Sequence, residues 1–134
     1  MRFRLAAVRL VQLALGDIAA PPCQGMVWEG YSPRRKLDAK TAGKAAAALR
    51  PAFPAGDADL DRELSRTLAI LEDGDAGTVR KVAARLTDNS DPLEDIHYLV
   101  VLSRLRAPRT GAVTARAALS GPLPARVDEA AQRY

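Results

Sequence analysis

The chain has 134 residues, of which 48% are hydrophobic and 27% charged, and a formal net charge of +4. This length fits one domain, the balanced composition excludes wholesale disorder and collagen-like order, and no run approaches the ~18 apolar residues of a membrane span. Aromatic residues make up only 4%, whereas alanine contributes 26 residues. This bias favours closely packed helices over a β-sheet.

The positive charge is unevenly distributed. Residues 1–54 carry 9 basic and 3 acidic groups, residues 55–103 carry 5 and 11, and residues 104–134 carry 6 and 2. A nucleic-acid-binding protein is expected to gather its basic residues on one face, and here an acidic block separates them. We therefore expect a protein partner or another domain of a longer chain. The alternative is a nucleic-acid-binding repeat protein that uses the basic segment 34–44, with Arg34, Arg35, Lys36, Lys40 and Lys44.

Residues 1–16 are predicted to form an amphipathic N-terminal helix. At 100° per residue, its apolar packing face holds Phe3, Ala7, Leu10 and Ala14. The opposite, polar face holds Arg2, Arg9, Gln12 and Gly16. Arg9 and Gln12 interrupt the apolar core that a secretory signal needs, although a signal and a transit peptide remain as alternatives. Because no N-cap residue precedes the helix, we predict that the chain is a fragment of a longer helical protein.

Residues 17–38 are predicted to form a Pro/Gly-rich loop that ends in a basic run. Loops of this length are often functional or disordered. This one contains the lone cysteine, Cys23, and the only tryptophan. In one interpretation, the aromatic residues anchor the loop onto neighbouring helices. In the other, the loop offers a surface patch to a partner, formed by Trp28, Tyr31, Arg34, Arg35 and Lys36.

Residues 39–134 are predicted to contain short helices separated by clear start and stop signals. Five helices have N-cap candidates, in chain order: Asp38 or Thr41, then Asp57 or Asp59, then Asp75, Asp91 and Thr110. Asp91 is the strongest signal, because Pro92 at the first helical position and Glu94 three residues after the cap complete the pattern of a capping box. Two buried stripes are expected, one with Leu60, Leu64, Leu68 and Leu71, the other with Val79, Val82, Ala83 and Leu86. The helix after Asp91 is apolar on most sides and is expected to lie centrally. Gly74 and Gly77 are expected to supply positive φ in a turn, and a last helix is expected over 124–134.

The sequence repeats with a period of 34 residues. A shift of 34 gives eight identities in 28 ungapped positions, and these include Asp57 with Asp91 and Gly77 with Gly111. Helical hairpins of ~34–47 residues stack into α-solenoids because one hairpin cannot bury its own apolar face. We therefore predict an all-α fold of six or seven helices, a HEAT-like α-solenoid of antiparallel hairpins that forms a single domain over 1–134.

The repeat segment also resembles a known family. DRELSRTLAILEDGDAGTVRKVAARL followed by DPLEDIHYLVVLSRLRAPRTGAVTARAAL looks like the helical-repeat region of planctomycete-type multidomain heme-binding proteins, which also contain a c-type cytochrome module. The resemblance covers roughly residues 57–119 and implies only the repeat scaffold. Heme attachment in that family needs C-x-x-C-H, and Cys23 is followed by Gln24-Gly25-Met26-Val27. No heme-binding residue is carried over.

Patterns typical of other chemistry are incomplete. Asp57, Asp59 and Asp61 resemble the start of a calcium loop, but Arg62 and Leu68 occupy the positions that need Gly and Glu. Glu94 and His97 have the E-x-x-H spacing of di-iron sites, which require a second such pair, and His97 is the only histidine. We expect His97 to be structural and Cys23 to be at most a weak nucleophile.

These observations predict a non-catalytic scaffold for protein–protein or interdomain interaction. We expect no heme, metal or other cofactor and no membrane span. The terminal helices are expected to leave apolar edges that favour self-association. The chain would be cytoplasmic if complete, and periplasmic if it belongs to a heme-binding protein.

Overall fold

The computed structural model describes residues 2–16, 25, 29–33, 35 and 37–119. These residues form α-helices and no strand, which confirms the all-α prediction for the described chain. The helices are α1 (Arg2–Ala14), α2 (Ala39–Leu49), α3 (Ala58–Ile70), α4 (Ala76–Ala83), α5 (Pro92–Arg104) and α6 (Gly111–Leu119). A short 3₁₀-helix, Arg50–Ala52, follows α2. The helix expected over 124–134 lies outside the described residues.

The helices begin where side chains can cap them. Asp57 accepts a hydrogen bond from the Leu60 N–H at the start of α3, and Asp75 accepts one from the Thr78 N–H at the start of α4. Asp91 caps α5 with Pro92 in its first turn. Each cap gives an otherwise unpaired N–H of the first turn an acceptor. The caps expected at Asp75 and Asp91 are confirmed, and of the two candidates for α3 the structure uses Asp57.

Helices α3 and α5 both lie in the core, and α5 buries residues on most of its sides, as the sequence predicts. Helix α3 packs against α1, α2 and α5, while α4 packs against α5 and α6. The two expected stripes are confirmed, since every member is buried. Helix α3 also buries the polar residues Asp61, Ser65 and Thr67. Hydropathy counts these three residues as exposed, which explains why the sequence indicates the central position of α5 but not that of α3.

Helices α1, α3 and α5 run parallel. Three side-chain contacts join α3, and the turn that follows it, to α5 at a constant separation of 32 residues: Arg62 with Glu94, Ser65 with His97, and Glu72 with Arg104. A constant separation requires both helices to advance in the same direction. On the other side of α3, Arg9 contacts Glu63 and Gln12 reaches Thr67, so α1 advances in the same direction as well.

The predicted packing face of α1 is wrong. Phe3, Ala7, Leu10 and Ala14 are all exposed, whereas the supposedly polar Gln12 is buried. The face that packs against the core holds Leu5, Val8, Val11, Gln12 and Leu15. Gln12 is accommodated because its amide donates to Glu63 Oε2 (2.9 Å) and Thr67 Oγ1 (2.9 Å) and accepts from Arg66 (2.9 Å). Helix α1 therefore has two apolar stripes, and partners on α3 determine which one is buried.

Candidate partner-binding groove

A groove of about 850 Å³ lies between α2, the turn after α3 and the C-terminal end of α5. Its apolar lining includes Leu15, Leu37, Ala42, Ala46, Ile70 and Leu71. Its polar lining includes Asp38, Arg50, Glu72, Asp73, Arg104 and Arg106. A volume of this size lies within the range of ~300–1,000 Å³ found for ligand sites. The groove is therefore the candidate functional site.

Small side chains on α2 leave the groove open. Ala39, Ala42 and Gly43 all line it, and a Cβ added at Gly43 would meet nothing within 4 Å. Asp38 is the N-cap residue of this helix, and its carboxylate accepts from the Thr41 N–H at 2.9 Å. The hydrogen bonds with Thr41 lower the pKa of Asp38 below its usual value. The alanine-rich sequence thus forms a regular helix whose surface takes up little of the groove.

The turn after α3 contains a residue with a strained backbone. Glu72 has φ of 51°, in the left-handed region that non-glycine residues rarely occupy. Its N–H donates to Ala69 O (2.9 Å) and the Asp73 N–H donates to Leu68 O (3.0 Å), the two bonds of a Schellman cap. The expectation that Gly74 and Gly77 supply positive φ is wrong, because the cap falls two residues before Gly74 and Gly77 lies inside α4.

Two arginines hold the Glu72 side chain at the rim of the groove. Arg104 donates to Glu72 Oε1 at 3.0 Å, and Arg106 forms an ion pair with the other carboxylate oxygen. The side chain of Arg106 is 71% exposed. Because a single carboxylate serves two guanidinium groups, this end of the groove carries one excess positive charge. Strained residues of this kind cluster at functional sites.

Asp73 forms the buried end of the groove. It is buried, accepts from Arg50 Nε at 3.1 Å and accepts from Thr78 Oγ1 at 2.7 Å. Burial alone would raise the pKa of Asp73, but the hydrogen bonds from Arg50 and Thr78 outweigh it and lower that pKa. The Arg50 pKa is raised by the same contact. Asp73 therefore stays ionised and fixes Arg50 against the turn.

The loop that forms one wall of the groove is anchored by Tyr31. Tyr31 Oη lies 2.6 Å from His97 Nδ1, and His97 Nε2 lies 2.9 Å from Ser65 Oγ. Ser65 Oγ donates to the Arg62 carbonyl. This pattern assigns the proton of the neutral ring to Nε2, so that Tyr31 donates to His97 and His97 donates to Ser65. On its other side, the loop lines the groove through Ser32, Pro33 and Leu37.

His97 is held neutral at this anchor. The residue is only 7% exposed. Burial, together with the positive charges of Arg62 and Arg66, lowers the pKa of His97 to about 3. Burial also raises the pKa of Tyr31. Both ring nitrogens are engaged in hydrogen bonds, and the ring joins the loop to α3 and α5.

The residues predicted for a partner patch do not all lie on one described surface. Tyr31 is half-buried and anchors the loop, as the first of the two interpretations has it. Arg35 is exposed, and its N–H donates to Leu15 O at 3.2 Å. Trp28, Arg34 and Lys36 lie outside the described residues, as does Cys23. A role of this patch in partner binding stays a prediction.

Three of the five basic residues that the nucleic-acid alternative uses in segment 34–44 lie in the described chain. Arg35, Lys40 and Lys44 are all exposed, with Lys40 and Lys44 one turn apart on α2. Asp38 lies between Arg35 and the two lysines in sequence. Binding of nucleic acid by segment 34–44 stays a prediction.

Sequence reasoning missed the residues that form the groove. Glu72 pairs with Arg104 across 32 positions, Arg50 with Asp73 across 23, and Tyr31 with His97 across 66. The 34-residue period held part of the signal, because residues about one period apart lie side by side in stacked hairpins. Applied to charged residues, a shift of 34 aligns Glu72 with Arg106, which form an ion pair. The pairs Arg62 with Glu94 and Glu72 with Arg104 lie 32 positions apart.

Within the described ranges, no group of three or more His, Cys, Asp or Glu side chains is arranged to hold a metal ion. None of the helices there has the length and apolar character required to cross a bilayer.

No match was found among protein-family models, curated proteins or solved structures. The resemblance to planctomycete-type heme-binding proteins therefore stays a prediction.

Proposed function

We propose that the chain is a non-catalytic helical-repeat scaffold, a HEAT-like α-solenoid of antiparallel hairpins, that binds a protein partner or another domain of a longer chain in the groove. The observation that carries this proposal is the parallel run of α1, α3 and α5, in which contacts at a constant separation of 32 residues join α3 and the turn after it to α5. Helices α3 and α5 have 13 residues each, and their bounds differ by the repeat period of 34. Equivalent helices of successive hairpins run parallel in a solenoid.

The lining of the groove favours an extended protein segment with apolar and acidic side chains. Leu15, Ile70 and Leu71, each at most 8% exposed, form an apolar floor, and Ala39 and Ala42 of α2 line the groove beside them. At the rim, Arg104 and Arg106 share the single carboxylate of Glu72, so a carboxylate of the partner meets a guanidinium group that is mostly exposed. Arginine–carboxylate pairs are among the stronger charge-assisted contacts.

Site-specific photo-crosslinking tests this function. A photoreactive amino acid replaces Ala39, which is exposed and lines the groove, or Ala47, which is exposed on the same helix and does not line it. In cells of the native host, we expect a discrete protein adduct from position 39 and none from position 47. A second substitution, Ala42→Trp, fills the groove and is expected to abolish the adduct. Identical adducts from both positions, or none from position 39, would contradict the proposal.

We also propose that this scaffold is part of a larger heme-binding multidomain bacterial protein, with the heme held elsewhere in that protein. This part rests on the sequence resemblance of residues 57–119 alone. Reading the genomic DNA on both sides of the coding region tests it. An in-frame continuation that encodes C-x-x-C-H would support the proposal, and stop codons on both sides would contradict it.

A further inference from the structure

Helix α1 has an apolar face that the described chain leaves uncovered. This uncovered α1 face consists of Phe3, Ala6, Ala7, Leu10, Leu13 and Ala14, which are all exposed. Phe3 is 91%, Leu10 66% and Leu13 55% exposed. At 100° per residue these residues lie on the side of α1 opposite Val8 and Gln12, which pack onto the core. Exposed apolar clusters of this kind mark interaction surfaces.

The charges of α1 are unfavourable for an isolated helix. Arg2 and Arg4 lie in its first turn, which contains no acidic residue, and its last turn contains no basic residue. A helix carries partial positive charge at its N-terminus and partial negative charge at its C-terminus. Arg2 and Arg4 therefore repel the end at which they lie, and the C-terminal carbonyls have no cation of their own helix beside them. A second α1 packed antiparallel on this face reduces both effects, because it brings Arg2, which flanks the face, to the carbonyl end of the first.

The shape of the face is also complementary to itself. In an antiparallel pair related by a two-fold axis near the middle of α1, Leu10 packs over the partner's Ala6 and Phe3 packs beside the partner's Leu13. Large residues then meet small ones at the centre, where the two helices approach most closely. A two-fold contact of this type is closed, and each favourable pair occurs twice.

We infer that the uncovered α1 face is a self-association surface, at which α1 of a second copy of this chain packs antiparallel. None of its residues lines the groove, so the dimer leaves the groove accessible to a partner. The groove and this surface can therefore be tested independently.

Sedimentation velocity of the 134-residue chain over a range of concentrations tests the inference. We expect reversible dimerisation at micromolar concentration. Leu10→Gln is expected to weaken it by at least about tenfold, because each substitution is present twice in a two-fold interface. Leu93→Gln, on an exposed leucine of α5, serves as the matched control and is expected to change the dissociation constant by less than about twofold. Both substitutions lie at exposed positions, where the folded state tolerates glutamine.

Single cysteines test the orientation, in a chain in which Cys23→Ser removes the only cysteine. In an antiparallel pair, Ala7→Cys lies near the axis and forms a disulfide with its copy on mild oxidation, while Phe3→Cys does not. Efficient crosslinking at position 3 would indicate a parallel pair and overturn the orientation.

Three other results would overturn the self-association surface. One is a monomer at every concentration examined, as expected if a further segment of a longer protein covers α1. Another is a dimer that Leu10→Gln leaves unchanged. The third is a monomer that binds vesicles containing anionic phospholipid and loses that binding with Leu10→Gln, which would identify a membrane surface as the occupant.

Discussion

Acidification is expected to destabilise the fold through a single residue. His97 has a pKa of about 3 in the folded chain, because burial and the nearby Arg62 and Arg66 disfavour its protonated form. In the unfolded chain its pKa returns to ~6.5. Between these values the unfolded state takes up a proton that the folded state does not. The stabilising contribution is therefore fully present above about pH 6.5 and declines as the pH falls towards about 3.

The size of the effect follows from the two pKa values. Since pH 5 lies about 1.5 pH units below ~6.5, and each pH unit corresponds to about 1.4 kcal/mol, the free energy of unfolding falls by about 2 kcal/mol between pH 7 and pH 5. This loss is a substantial part of the ~5–15 kcal/mol that typically stabilises a domain. His97 is the only histidine, so other side chains contribute little over this interval.

Urea unfolding followed by circular dichroism at about pH 7, 6 and 5 measures this dependence. His97→Gln removes the titrating group and is expected to make stability nearly independent of pH over that interval. Tyr31→Phe is the control. This variant is expected to lower the free energy of unfolding by about 1–3 kcal/mol at every pH, because the acceptor His97 Nδ1 loses its donor. It is expected to retain the pH dependence. If the chain and its His97→Gln variant lose equal stability between pH 7 and pH 5, the assignment of a buried neutral histidine is refuted.

Two further predictions concern α3 and the turn that follows it. The Glu72→Gly variant is expected to be more stable than the Glu72→Ala variant by about 1 kcal/mol. Both variants lose the contacts to Arg104 and Arg106, but only glycine relieves the positive φ. Equal urea midpoints for the two variants would contradict the strained turn. Asp61→Ala is expected to lower the free energy of unfolding by about 2–3 kcal/mol, because Asp61 is fully buried and binds Arg85. Asp59→Ala, at an exposed position in the same turn, is expected to lower it by less than about 0.5 kcal/mol. Thermal unfolding checks the second pair, and comparable melting temperatures for both variants would argue against a buried ion pair.

Local signals in the sequence predicted the helices well. Asp57, Asp75 and Asp91 cap through contacts two or three residues away, so both partners lie within one short stretch of sequence. The buried leucines of α3 follow from their spacing of three and four residues, because that spacing places them on one face of a helix.

Long-range contacts explain what the sequence could not predict. Hydropathy could not choose between the two apolar stripes of α1, since the choice depends on how α3 satisfies Gln12, more than 50 positions away. Likewise, the positive φ of Glu72 depends on where α3 ends, and its arginine partners follow 32 and 34 positions later. The groove is a product of tertiary packing between α2, α3 and α5.

The central claim is that α1, α3 and α5 run parallel, as the proposed stack of hairpins requires. A short bis-maleimide linker between paired cysteines, introduced with Cys23→Ser, tests it most directly. Asp59 lies at the start of α3, and Leu93 and Ser103 lie at opposite ends of α5. All three positions are exposed. Leu93 and Ser103 are separated by about 15 Å along the helix axis, at 1.5 Å per residue. The parallel arrangement predicts efficient crosslinking of Asp59→Cys with Leu93→Cys and little with Ser103→Cys. The reverse preference would contradict the stacked arrangement.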